Sequence, residues 1–227
     1  MDFGLFLEFP RREGGTQQEA FQECFALADE GEALGVDSVW LAEYHFNPAR
    51  VLSAPITIAS ALAARTKTVR IGLAVICLPL GNPIRLAEEI ATLDHISEGR
   101  LEFGVGRGTF PNVHEGYNVP FSESRERFDE FLDVIVKSWT TESFSYEGKY
   151  ITCNDLSVHP KPLQTPHPPI HIGDPKIIEL SFEPLPTGTI HTIGAILARH
   201  DHIRLAHRLT PKQRMILEEV DRERERI

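Results

Sequence analysis

"GLAVICLPLGNPIRLAEEIATLDHISEGRLEFGVGRG", residues 72–108, is the stretch on which the fold turns. It opens inside an apolar run (69–78), passes through a segment with helical spacing (82–99), and closes on a second apolar run (100–106). Asn82 suits a helix cap, Pro83 suits the first helical position, and Gly99 stands beyond the last turn. A strand, a capped helix and a strand in this order form a right-handed crossover in a parallel sheet. The stretch ends on Gly104, Gly106 and Gly108 wrapped around Arg107. Two readings of that ending are open: the glycines mark a tight turn, or they let backbone approach a bulky anionic ligand whose charge Arg107 balances.

The same rhythm extends on both sides. Residues 3–9 are a short apolar run, and residues 17–34 place Phe21, Cys24, Phe25 and Ala28 at helical spacing before Gly35. Residues 37–45, "DSVWLAEYH", read as a strand with a polar end, and 54–66 as a helix with Pro55 at its first position. Residues 122–139 predict an amphipathic helix with Phe128, Phe131, Leu132 and Ile135 on one face. Alternating strands and helices predict a parallel sheet, doubly wound or closed as a barrel, with its site at the carboxyl ends of the strands. Glu8, Glu43, Tyr44, His45 and Arg107 all fall at such ends. Further on, 143–155 predict a hairpin turning at Glu147 and Gly148, and a proline-rich connection (158–169) leads into a strand at 170–172. The pattern then breaks. Residues 173–227 read as an atypical helical tail, with one helix capped at Thr210.

Composition narrows the classes of function. The chain has 227 residues, 41% hydrophobic and 25% charged, as in ordinary globular proteins. A net charge of -10 argues against nucleic acid as a partner but leaves room for a small anion held by local arginines. No apolar run is long enough to span a bilayer, and no basic segment precedes the N-terminal apolar run, so a cytoplasmic protein without membrane contact is expected. Cys24, Cys77 and Cys153 sit in apolar contexts and read as reduced thiols. His191, His200, His202 and His207 lack the spacing of a metal site, and none is expected. "GVGRG" is not a dinucleotide fingerprint, because its third glycine comes too early.

Taken together, "LAEYHF" (41–46), the stretch 72–108 and "SRERFDEF" (124–131) resemble the bacterial luciferase-like flavin monooxygenases over residues 1–172. The resemblance implies a TIM-type (β/α)8 barrel that binds reduced FMN, or in relatives the deazaflavin F420, at its C-terminal mouth. It implies oxygenation of a small organic substrate by O2, with a flavin reductase as electron source, and a homodimer formed through the helix at 83–96. By position, Tyr44 and His45 take the catalytic place. Glu43, Ala74, Val75, Gly106, Arg107, Gly108 and Arg125 take the cofactor-binding places, with Arg107 and Arg125 on the flavin phosphate and a non-prolyl cis peptide at Ala74–Val75. Departures accompany the likeness. Tyr44 stands where luciferases carry their catalytic histidine, and Gly106 where they often carry a cysteine. The tail after 172 is too short for the three strand–helix units that complete the family barrel. The expected organisation is therefore a barrel core (1–172), incomplete or rearranged at its C-terminus, followed by the tail (173–227). A non-catalytic, weakly flavin-binding paralogue and an F420-dependent oxidoreductase are the alternatives.

Overall fold

A computed structural model describes residues 3–173 of the chain. The strands are β1 (Gly4–Leu7), β2 (Ser38–Leu41), β3 (Arg70–Leu73), β4 (Ile76–Cys77), β5 (Leu101–Gly106), β6 (Phe144–Glu147), β7 (Thr152–Leu156) and β8 (Ile170–Gly173). The helices are α1 (Gln17–Leu34), α2 (Pro55–Arg65), α3 (Pro83–Ile96), α4 (Pro111–Gly116) and α5 (Ser124–Thr140). β1, β2, β3, β5 and β8 pair in parallel in chain order, and β6 and β7 form a separate antiparallel hairpin.

Local chemistry sets the helix ends. Thr16 and Glu19 close a reciprocal capping box at the start of α1, and Gly35 ends it at φ 80°. Asn82 accepts from the Ile84 and Arg85 N–H groups at the start of α3, where Pro83 has no N–H to satisfy. The outward face of the sheet is the core: Leu41, Ile71, Leu73, Leu101, Phe103 and Val105 are fully buried. The other face mixes aromatic rings and glycines with charged side chains. Phe6, Trp40, Gly72 and Glu102 lie in one row of paired residues. Trp40 spreads over Gly72, where an added Cβ would sit 2.1 Å from the ring, and its N–H donates to Ser38 Oγ at 2.9 Å.

The apolar run expected as one strand over 69–78 is broken in two. Gly72 pairs with Glu102 and Ile76 with Val105, so residues 73–75 stand against only 103 and 104. This extra residue is a bulge, which re-aims the chain at a sheet's rim, and the Ala74–Val75 peptide within it is cis. The strand expected over 37–45 stops at Leu41, because Tyr44 N–H leaves the ladder and donates to the Leu52 carbonyl. α5 begins at Ser124 after a single 3-10 turn over Phe121–Glu123, and the short α4 was not expected at all. β8 runs to Gly173, one residue past the strand expected over 170–172. The tail expected to be helical, with the histidines at 191, 200, 202 and 207, lies outside the described residues.

Glu102 binds the inner face together. His171 Nε2 lies 2.7 Å from one carboxylate oxygen, and Arg70 donates to the other. Burial opposes ionisation of Glu102, but His171 and Arg70 outweigh it and hold the carboxyl below its ordinary 4.5. A depressed native pKa adds stability above the unfolded value, lost as pH falls through the native one. Glu102→Gln is expected to lower the unfolding free energy at neutral pH by roughly 1.5–3 kcal/mol. The gap to the wild type should narrow below pH 4.5. Urea unfolding at neutral and acid pH checks both, and a gap that widens on acidification would contradict the assignment.

Candidate active site

Parallel pairing brings the exits of β1, β2, β4 and β5 to one end of the sheet, and the expected residues gather there. Glu43 and His45 leave β2 side by side, with Glu43 Oε1 and His45 Nε2 2.6 Å apart and both side chains about nine-tenths buried. Glu43 Oε2 accepts the Cys77 N–H at 3.0 Å. On its other side, His45 Nδ1 lies 2.9 Å from the Tyr117 hydroxyl. An ionised carboxylate only accepts, so His45 carries its proton on Nε2 and accepts a hydrogen bond from the Tyr117 hydroxyl at Nδ1. Burial, then the charge of Glu43, pushes the Cys77 thiol up to about 12, so it stays neutral.

Tyr44 is engaged elsewhere. Its hydroxyl donates to Glu8, which also accepts from Arg50 Nε at 3.2 Å, and the Arg50 guanidinium lies 5.1 Å from the centre of the Tyr44 ring. The structure joins Glu43 to His45 and ties Tyr44 to β1's exit.

Arg107 follows β5. Its guanidinium stacks 5.5 Å from the centre of the Phe121 ring, and no carboxylate among the described residues pairs with it. Gly108 turns the chain at φ 77°; a Cβ there would sit 2.4 Å from Cys77 Sγ and 2.9 Å from His114 Nε2. Only glycine fits this turn. His114 and Ser124 are buried behind it; the His114 ring lies against the Arg107 backbone, and Ser124 Oγ has no hydrogen-bond partner among the described residues. Burial pushes the His114 pKa below its ordinary 6.5, so the ring is neutral. Arg125 lies in the first turn of α5, largely exposed and paired with Asp129 at 3.1 Å. Such a surface pair contributes about 0.3–0.5 kcal/mol, little enough for an anion to displace it.

The floor between these groups is made of Val75, Gly106 and Gly173. Gly106 pairs with Cys77 on one side and Gly173 on the other. A Cβ on Gly106 would lie 2.6 Å from Val75 Cγ2, and one on Gly173 2.9 Å from Val75 Cγ1. The valine side chain thus fills space that two absent side chains leave.

Tyr117, Phe121 and His114 escaped the sequence reading. α4 has six residues, too few for helical periodicity to register. Phe121 stands in the 3-10 turn before α5.

Consecutive β/α units in a parallel sheet, with a buried histidine–carboxylate pair and an arginine unpaired among the described residues at the strands' carboxyl ends, are the layout of a β/α-barrel protein that carries its site in that mouth. The chain belongs to the luciferase-like monooxygenase family, whose model matches residues 1–181. It is 30% identical over 189 residues to the oxygenase component of the flavin-dependent trigonelline monooxygenase of Acinetobacter baylyi, covering 81% of this chain and 52% of that protein. Monooxygenase RslO1 of Streptomyces bottropensis superposes with a TM-score of 0.74 at 32% identity, over 79% of this chain and 55% of that one. The oxygenating constituent of 3,6-diketocamphane monooxygenase from Pseudomonas putida, solved with FMN, shares the fold with a TM-score of 0.70 at 24% identity, over 76% and 51%. The chain spans about half the length of the curated relatives it matches.

The floor yields a test. Gly106→Ala should destabilise the protein by about 1–3 kcal/mol through overpacking against Val75. Val75→Ala in the same chain should restore most of the loss, since the two sites touch and are not additive. Thermal melts of the two single variants and the double variant measure the coupling, and simple additivity would contradict the contact.

Proposed function

We propose that the protein is a flavin-dependent monooxygenase that uses reduced FMN and O2 to oxygenate a small organic substrate, with its electrons delivered by a separate reductase. The observation that carries this reading is Arg107: a cation at the barrel mouth, oriented by Phe121 and left without a carboxylate partner among the described residues. Family membership and the flavin-dependent oxygenase component among the relatives support it.

The residues present fit the cofactor. Arg107 supplies charge for a phosphate, Arg125 can release Asp129 to add a second, and Ser124 Oγ, without a partner among the described residues, lies buried in the same first turn of α5. Gly106 and Gly173 offer a floor without side chains beside Val75. Bound reduced FMN supplies the electrons and the oxygen-activating chemistry. The chain's own part is to hold the phosphate, present the floor to the ring, exclude water and manage protons through the His45–Glu43 pair. In the same proposal the protein is a homodimer through α3, which a stable monomer in sedimentation would overturn.

Binding is expected to be weak. The sequence after β8 carries Asp174, a negative charge, and Pro175, which has no N–H to donate, with Lys176 offsetting them in part. Calorimetric titration with FMN, and with F420 in parallel, tests the proposal. Arg107→Ala should weaken FMN binding by one to two decades, as the loss of charge-assisted hydrogen bonds worth roughly 1.5–3 kcal/mol requires. An unchanged affinity would place the phosphate elsewhere. Tighter binding of F420 than of FMN would reassign the cofactor.

A further inference from the structure

We propose that Tyr117 is the group that exchanges a proton with the substrate, that His45 and Glu43 are the relay behind it, and that the substrate presents an acidic hydroxyl of the phenol type. The inference rests on reading the barrel mouth as the reaction site. Its core is a continuous line of hydrogen bonds: Tyr117 hydroxyl to His45 Nδ1 at 2.9 Å, His45 Nε2 to Glu43 Oε1 at 2.6 Å, and Cys77 N–H to Glu43 Oε2 at 3.0 Å.

The line has one buried end and one open end. Glu43 and His45 are about nine-tenths buried, whereas Tyr117 is 40% exposed. Tyr117 is therefore the member of the line that a ligand can reach. Tyr44, which takes the catalytic place by position, has its hydroxyl committed to Glu8 and its ring covered by Arg50. The Tyr117 ring meets His45 edge-on at 4.9 Å between centroids, which holds the hydroxyl in line with Nδ1.

Beside Tyr117 stands an apolar wall. The Phe46 ring lies 5.7 Å from that of Tyr117 and is 64% exposed. It rests on Gly116, where a Cβ would sit 2.3 Å from the ring. Phe46 has φ 53°, in the left-handed region that bulky residues seldom occupy. An apolar planar surface next to one polar hydroxyl matches a flat, apolar substrate with one acidic O–H.

The proton balance is closed. The substrate O–H bond breaks and its proton goes to Tyr117 Oη. In the same movement the Tyr117 proton passes to His45 Nδ1. The substrate is left as an oxyanion and His45 as an imidazolium facing the Glu43 carboxylate, and the reverse movement returns the proton. Two charges therefore form beside a third that is already in place, and none of the chain's buried groups must ionise unpaired. Burial, then the charge of Glu43, pushes the Tyr117 pKa up, so the phenol stays protonated and hands protons through. The neutral Cys77 thiol adds no competing anion.

The test uses the full chain and para-nitrophenol, whose ionised form absorbs in the visible. At a fixed pH below the free probe's midpoint, the ratio of ionised to neutral probe should be about tenfold higher for bound than for free probe, one pKa unit. Tyr117→Phe, which keeps the ring, should return it to the free value, and Glu43→Gln should reduce it. Nitrogen NMR gives an independent readout: the His45 Nδ1 resonance should move in Tyr117→Phe, because its hydrogen-bond donor is gone. No excess ionisation in the wild type, ionisation that persists in Tyr117→Phe, or an unmoved Nδ1 resonance would each overturn the proposal. FMN titration of the same samples reads the flavin site separately. Lost flavin binding with retained probe ionisation would count against the proposed monooxygenase and leave the relay standing.

Discussion

The carboxylate of Glu43 is the joint on which the mouth depends. One oxygen orients His45 and the other satisfies the Cys77 N–H, so a single side chain ties the exit of β2 to β4. The backbone reinforces the same seam: Leu41 pairs with Leu73, and Ala74 N–H donates to the Leu41 carbonyl at 2.7 Å. A buried N–H left without an acceptor costs about 1–3 kcal/mol, so the carboxylate is held in place by the strand it serves. His45 inherits that rigidity. Its Nε2 is committed, its tautomer follows, and Nδ1 is left to face Tyr117.

Two arginines at the ends of β5 show how the same side chain becomes structural or functional. Arg100, just before the strand, donates to the carbonyls of Ser97, Val69, Ala63 and Thr66 and to the Thr66 hydroxyl. Those neutral acceptors use up its directional capacity and lock α2 to the base of the barrel. Arg107, just after the strand, has an aromatic face instead. A ring orients a guanidinium without neutralising it. The charge thus remains available to a ligand, and β5 carries one arginine for the fold and one for the site.

The layout of the barrel was legible because its signals are long and periodic. α1, α3 and α5 each span several turns with clear caps or apolar faces, and their expected limits agree with the structure to within about two residues, the usual uncertainty of helix ends. The break at 73–75 was not legible, since an apolar run looks the same with or without a bulge. In the site, Glu43, His45 and Arg107 could be placed by their position at strand ends. Tyr44 and Tyr117 could not be told apart on that basis. Which tyrosine meets His45 depends on a six-residue helix and on Glu8 capturing its rival. Both are tertiary contacts with no local sequence signature.

The spacing of the strands has a thermodynamic side. Residues paired between successive strands are separated by similar distances along the chain, as Gly4 with Ser38, Ser38 with Arg70 and Ile71 with Leu101. Phe103 waits until Ile170, roughly twice as far, because α4, α5 and the hairpin intervene. Loop-closure entropy grows only logarithmically, so doubling a connection costs about 0.6 kcal/mol. The barrel can therefore carry a long excursion between β5 and β8 with its register undisturbed. That excursion holds His114, Tyr117, Phe121 and Arg125. The segment that equips the mouth is the one whose length the fold constrains least, and its chemistry can vary while the strands beneath it stay the same.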